Sequence, residues 1–311
     1  MDVNTAIEVV GVDWGTTHRR AYGLDSSGRC IAEHSDDEGA LACKGRFAES
    51  LAALLQTLKA RPRSVFLSGM VGSALGWQVV PYVDGAVDLP ALAQHLSGVP
   101  EQPLPVSIVP GYCVRNAAGQ PDVMRGEETQ LLGAHCLGHR NGWFVLPGTH
   151  SKWVELRDGR VAQLRTYMTG ELFELLRSHG TLAAAGGAAA PAWDATAFAQ
   201  GVHAAQAGGA LSQQLFGCRA RVVSGDMGAS SSQSYLSGLL IGAELQDVLQ
   251  TGEGGQTGAS HAADFKLIGS PALAQHYQSA AALLGLQFEV LDARAAFIAA
   301  LHYLTPHRKL V

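Results

Sequence analysis

The sequence predicts an α/β fold made of two similar halves, on three observations. Gly11-Val12-Asp13-Trp14-Gly15-Thr16-Thr17 and Leu146-Pro147-Gly148-Thr149-His150-Ser151-Lys152 are related segments, roughly 130 residues apart, each lying between an apolar run and a second extended run. Strand-like runs that end in glycine turns lead into stretches of helical periodicity, which is the α/β pattern. The 311 residues suit one large domain or two of ordinary size, and the repeated segment favours two.

The first segment continues through Arg20-Ala21-Tyr22-Gly23-Leu24 to a turn at Ser26-Ser27-Gly28, and the second through Trp153-Val154-Glu155-Leu156 to Asp158-Gly159. Both read as hairpins. Phe47 to Leu58 has apolar residues at helical spacing and Arg61-Pro62 ends it. Ser64 to Leu67 is then a buried strand leading into Ser68-Gly69-Met70-Val71-Gly72-Ser73. A proline-rich stretch from Pro81 to Pro110 predicts loops, with a short helix at Leu89 to Leu96. Glu127 to Leu137 reads as a helix, and Gly138 to Gly142 is the boundary that gives domains 1–140 and 141–311. Thr169-Gly170-Glu171 opens a helix through Leu176, with Thr169 as its expected N-cap. Ala183 to Ala192 is expected as a surface turn or flexible loop. Tyr235 to Leu249 is a strongly apolar helix and Gly252 to Gly258 a glycine-rich loop. Phe265 to Ile268 is a strand, Gly269-Ser270-Pro271 a tight turn, and Ala272 to Leu284 a helix, so that strand, turn and helix N-terminus form an anion-compatible element.

Composition limits what the chain can do. The formal charge is −5 and charged residues are 16% of the chain, so no basic surface for nucleic acid or anionic lipid is expected. Five scattered cysteines include no Cys-x-x-Cys pair, which reads as reduced thiols without a zinc site. No apolar stretch approaches the ~20 residues that cross a bilayer, and the acidic N-terminal Asp2 and Glu8 do not resemble a targeting signal. A soluble cytoplasmic protein is expected; its oligomeric state is left open, a homo-oligomer included.

A Gly-Thr turn at a hairpin tip offers backbone amides and a hydroxyl without a bulky side chain, as a phosphate requires. Two such tips suggest two halves holding one nucleotide. Asp13, just before the first tip, could hold Mg2+ through water, since magnesium takes oxygen ligands and keeps much of its hydration; the ordinary alternative is a turn aspartate bound to nearby backbone. Thr16, Thr17 and Thr149 are, taken singly, ordinary turn residues. Arg125-Gly126-Glu127-Glu128 precedes the helix at the boundary, where a carboxylate could accept a hydroxyl proton; acidic residues in a first helical turn also simply complement its dipole. His150 and Lys152 could touch phosphate. No Gly-x-x-x-x-Gly-Lys-Ser/Thr, Gly-x-Ser-x-Gly or His-Glu-x-x-His segment occurs, which excludes a P-loop and argues against the commonest hydrolase and zinc-peptidase patterns.

Several strings together resemble the 2-dehydro-3-deoxygalactonokinase family. They are Val12-Asp13-Trp14-Gly15-Thr16-Thr17 with Arg20-Ala21, Gly69-Met70-Val71-Gly72-Ser73 with Gly76-Trp77, Met124-Arg125-Gly126-Glu127-Glu128-Thr129-Gln130 and Leu146-Pro147-Gly148-Thr149-His150-Ser151-Lys152-Trp153. Met168-Thr169-Gly170-Glu171, Tyr235 to Gly242 and Ile268-Gly269-Ser270-Pro271 extend the likeness over nearly the whole chain, in order. The resemblance implies two actin-like ATPase (ribonuclease H-like) domains flanking a nucleotide cleft, and ATP with Mg2+ as cofactors. It also implies phosphorylation of the 6-hydroxyl of 2-dehydro-3-deoxy-D-galactonate in galactonate catabolism. On that reading Gly15, Thr16, Thr17, Gly148, Thr149, His150 and Lys152 serve the phosphates, Gly269 and Ser270 the adenosine. Asp13 serves the metal, and Glu127 or Glu128 stands where sugar kinases of this superfamily carry a catalytic aspartate. The substrate carboxylate calls for a guanidinium fork, with Arg20 and Arg125 as candidates, and Met70, Ser73 and Trp77 line the sugar pocket. A kinase for another sugar acid such as 2-dehydro-3-deoxygluconate, or a non-catalytic nucleotide-dependent regulatory module, are the alternatives.

Overall fold

The computed structural model describes residues 6–186, 192–251 and 265–306, and contacts divide them into two compact units. One holds the described residues through Gly142, together with Val154–Arg165 and those from Leu291 onward. The other holds Trp143–Trp153 and the described part of Thr166–Val290.

In chain order the first stretch contains β1 (Val9–Trp14), β2 (Arg19–Leu24), β3 (Cys30–Asp36), α1 (Phe47–Thr57), β4 (Ser64–Gly69), β5 (Val83–Asp84), β6 (Ser97–Gly98), β7 (Val106–Ile108), β8 (Tyr112–Arg115), β9 (Pro121–Met124) and α2 (Glu127–Cys136). β1 pairs antiparallel with β2 and parallel with β4, giving a sheet ordered β3-β2-β1-β4-β7-β6. β1 and β4 are buried almost throughout because strands with both faces covered carry near-continuous apolar runs. Phe47, Leu51 and Leu54 of α1 recur at helical spacing and pack with Val10, Val12, Trp14, Leu67 and Ile108 into one core. β5, β8 and β9 form a small separate sheet.

There follow β10 (Gly142–Leu146), β11 (Ser151–Arg157), β12 (Arg160–Tyr167), α3 (Thr169–Ser178), α4 (Gly180–Gly186), α5 (Ala195–Gln206), α6 (Leu211–Ser224), α7 (Ser232–Thr251), β13 (Phe265–Ile268), α8 (Pro271–Leu283), β14 (Phe288–Leu291) and α9 (Ala293–Leu304). The second sheet runs β12-β11-β10-β13-β14, the strand order of β3-β2-β1-β4-β7 repeated, so the duplication expected of an actin-like α/β fold is present. α5 and α7 meet backbone to backbone: a Cβ on Gly238 would lie 2.0 Å from the Phe198 carbonyl oxygen, and one on Gly201 2.1 Å from that of Tyr235. α9 returns to the first unit, where a Cβ on Gly133 of α2 would lie 1.6 Å from the Ala296 carbonyl oxygen.

Three local expectations are revised. The residue preceding α3 is Met168, without a side-chain cap, and Thr169 is the first helical residue, because its hydroxyl is committed to Glu244 instead. Ala183 to Gly186 lies in α4 rather than a loop, in keeping with the helix preference of alanine; residues 187–191 lie outside the described residues, as does the glycine-rich Gly252 to Gly258 segment. Leu89–Gln94 is a 3-10 helix with Pro90 in its first turn.

Candidate active site

In the first unit the site builds on the carboxyl ends of β1 and β4, where ligands of open α/β sheets collect. Asp13 stands opposite Arg20 on β2 and beside Ser68 on β4. Burial raises the proton affinity of the Asp13 carboxyl and the Arg20 guanidinium opposes it. The tip that follows is held from behind. The amides of Gly39, Ala40 and Leu41 donate to the carbonyls of Thr17, Gly15 and Thr16 at 2.9–3.2 Å, and Trp14 Nε1 donates to the Glu38 carbonyl at 2.8 Å. Fixing the carbonyl side turns the tip into a rigid frame for its amides.

α2 starts against the same strand ends. Gly126 has φ +112°, a conformation that favours glycine, and a Cβ on it would meet Gly69 Cα at 3.2 Å. Ser68 Oγ lies 2.6 Å from Thr129 Oγ1, so the first turn of α2 is fastened to the strand beside Asp13. The two glutamates then separate. Glu128 is 0% exposed and accepts from the Gly126 amide at 2.7 Å; burial, with the Glu127 charge second, pushes its pKa up to about 8. Glu127 is half-buried and accepts from the Arg125 amide at 3.0 Å.

The two candidate arginines also separate. Arg20 is exposed, whereas Arg125 is half-buried with its guanidinium 4.3 Å from the centre of the Tyr82 ring. Arg125 Nη2 donates to the Val80 carbonyl at 2.6 Å, while Nε and Nη1 are buried with no hydrogen-bond partner among the described residues. Buried donors of this kind call for a ligand or water. Trp77 stacks on Phe47 at 6.2 Å and Met70 packs on the same core. Ser73 Oγ donates to the Met70 carbonyl at 2.8 Å and accepts from the Leu75 amide at 3.1 Å, which shapes this turn.

In the second unit β10 and β13 are parallel neighbours, and their carboxyl ends carry the second tip and the Gly269-Ser270 turn. A Cβ on Gly269 would touch the Pro147 ring at 3.2 Å. Gly148, Thr149 and His150 are exposed, and His150 Nε2 lies 2.5 Å from Glu171 Oε2. Ser270 caps α8, its hydroxyl accepting from the Leu273 amide. Lys152 is only 6% exposed, and its ammonium donates to Thr166 Oγ1 at 3.1 Å rather than standing at the tip.

Beside this tip lies a pocket of about 270 Å³, among whose walls are Gly148, Thr169, Trp193, Ser237, His276 and Tyr277. The Trp193 and His276 rings stack on each other, their centroids 4.4 Å apart and their planes 5° from parallel. A pocket with a flat aromatic pair on its wall and a few hydroxyls suits a planar heteroaromatic group. Sequence reasoning missed this pocket and also Glu244, which is 2% exposed and accepts hydrogen bonds from Ser151, Trp153, Thr169 and Tyr277. The available signal for Glu244 was a carboxylate well inside the largely apolar run from Tyr235 to Leu249, nearer its centre than Asp247; for Trp193 and His276 there was none, since they come together only through tertiary packing.

Comparison with known proteins adds a family to this geometry. A family described as 2-keto-3-deoxy-galactonokinase matches residues 13–304. The 2-dehydro-3-deoxygalactonokinase of Escherichia coli (strain K12) is 32% identical over 291 residues, which cover 93% of this chain and 94% of that protein. The Rhizobium meliloti (strain 1021) protein DgoK1, assigned the same activity, is 35% identical over 304 residues, covering 96% of this chain and 97% of its own. A crystal structure from Sinorhizobium meliloti, assigned to the same kinase type, superposes with a TM-score of 0.85 at 33% identity and covers 96% of this chain and 98% of that one.

Proposed function

The chain belongs to the 2-keto-3-deoxy-galactonokinase family, and from that membership we propose that it transfers the terminal phosphoryl group of ATP to the 6-hydroxyl of 2-dehydro-3-deoxy-D-galactonate, giving the 6-phosphate in galactonate catabolism. It is a sugar-acid kinase. The observation that carries the reading is the family match over residues 13–304, which spans both glycine-threonine tips and the Arg125-Glu127 segment.

Phosphoryl transfer is governed by positioning and charge stabilisation, and this chain's residues divide that work. Thr16 and Thr17 on one tip, and Gly148 and Thr149 on the other, offer amides and hydroxyls to the phosphates, while Gly15 leaves room for them and its own amide closes the tip onto the His18 carbonyl. The pocket walled in part by the stacked Trp193 and His276 rings, with the Gly269-Ser270 turn, takes the adenosine. The unpartnered Nε and Nη1 donors of Arg125 offer charge-assisted hydrogen bonds to the substrate carboxylate, which favours Arg125 over the exposed Arg20. Glu127 accepts the 6-hydroxyl proton; the fully buried Glu128 holds the Gly126 amide and reaches no substrate.

Magnesium fits this donor set. Among the described residues no group of three or more acidic, histidine or cysteine side chains is placed to hold a metal ion by itself, and Mg2+ bound mainly by ATP oxygens and water needs only one or two carboxylates. Asp13 would hold it through water, and the ion would neutralise charge on the phosphates. Among the described residues no helix is long and apolar enough to cross a membrane, and we place the enzyme in the cytoplasm with its ATP.

An ADP-release assay with Mg2+, comparing 2-dehydro-3-deoxygalactonate, its gluconate epimer and free sugars, tests the proposal. Turnover confined to the galactonate compound is expected. Turnover on the epimer alone would replace the substrate, and ATP binding without turnover on any acceptor would replace catalysis with a regulatory role.

A further inference from the structure

We propose that Glu244, which reaches no ligand itself, is the residue that positions the second tip and the start of α3 for ATP. The inference rests on the kinase reading above.

Its carboxylate lies in the middle of the apolar α7, where an ion without hydrogen bonds would be costly to bury. Four donors meet that requirement. Ser151 Oγ and Trp153 Nε1 donate to Oε1 at 2.7 and 2.6 Å; Tyr277 donates to Oε2 at 2.8 Å, and Thr169 Oγ1 donates to Oε2 as well. Burial raises its proton affinity and the four hydrogen bonds lower it. Apolar packing would join the same helices without burying a carboxylate, so what the acid adds is direction.

The donors show what is directed. Ser151 follows His150 of the tip in sequence, and residues 151 and 153 share one face of β11 because side chains alternate along a strand. Thr169 is the first residue of α3, whose next residue has no room for a side chain: a Cβ on Gly170 would lie 2.2 Å from the Gly148 carbonyl oxygen. The Glu171 amide then donates to the Thr149 carbonyl at 2.8 Å. Thr169 and Tyr277 also line the pocket assigned to the adenosine. One buried carboxylate therefore joins the strand leaving the tip, the helix start resting on the tip and the α8 wall of the pocket. A displacement of about 1 Å at such a point is enough to cost a large factor in rate or binding.

Glu244→Gln tests this. The amide is isosteric, and the Thr169 and Tyr277 hydroxyls can rotate to accept from it, so the fold is kept while the direction of those bonds reverses. The expected result is an ATP KM and calorimetric Kd raised about tenfold or more, with the sugar-acid KM within about twofold of wild type and the melting midpoint nearly unchanged. Thr169→Val, which keeps shape and removes one donor, should move ATP affinity in the same direction and decides alone if Glu244→Gln does not fold. An unchanged ATP KM, or both KM values rising together with a large fall in melting temperature, overturns the proposal. A wild-type enzyme that neither binds ATP nor phosphorylates a sugar acid would instead remove the kinase reading beneath it.

Discussion

Adjacent glutamates at the start of α2 differ sharply in burial, Glu128 being fully enclosed and Glu127 half-buried. With Glu127 as the proposed base, Glu127→Gln should lower kcat by about 10² to 10⁴, the usual worth of a general base, while ATP affinity measured by calorimetry stays at the wild-type level. Glu128, with its pKa pushed up to about 8, is protonated in the folded protein over a range where the unfolded chain has lost the proton. A folded-state pKa above the unfolded one stabilises most at low pH, and that contribution declines as pH rises from the ordinary glutamate range to about 8. The wild type should therefore lose a few kcal/mol relative to Glu128→Gln between about pH 5 and 8, seen as urea midpoints of the two proteins that draw apart across that window. Arg125→Met should raise the KM for the sugar acid by about tenfold or more, since a lost charge-assisted pair is worth ~1.5–3 kcal/mol, with little change in the KM for ATP; equal effects on both would remove Arg125 from the acid site. The Gly-Thr tips and the acidic helix start were legible in the sequence because short-range chemistry marks them. The contrast between Glu127 and Glu128, and between Arg20 and Arg125, was not, because accessibility is decided by neighbours distant in sequence.

At the level of elements, periodicity did most of the work. Phe265–Ile268 is the strand its apolar run predicts, α2 and α8 lie within one residue of their expected limits, and α7 exceeds its apolar stretch at both ends. What the periodicity could not show was how closely helices approach. Gly133 lets α2 lie directly on the backbone of α9, a contact between segments with no local relation. Gly133→Ala should destabilise the first unit by about 1–3 kcal/mol or more, as overpacking against an immobile backbone does, measured as a lower urea midpoint. Thr169 was misread for a related reason: a threonine before a helix is usually a cap, but a buried carboxylate on another helix competes for its hydroxyl more strongly than the local amides do.

Across the whole molecule the repeated strand order carries the repeated sequence segment, so the two Gly-Thr tips occupy equivalent places in two sheets. That correspondence was legible from the duplicated hairpin. The path of the chain was not: residues from Leu291 onward belong with the first unit. A chain ending at Val290 should lack the α9 surface on which α2 rests, and limited proteolysis should then cut within the first unit before the second. This return also sets an order on biosynthesis. At the usual 5–20 residues per second, the roughly 150 residues between α2 and α9 take about 8–30 s to translate, and throughout that interval the nascent first unit presents an uncovered α2 to the cell's chaperones while the second unit is still being made.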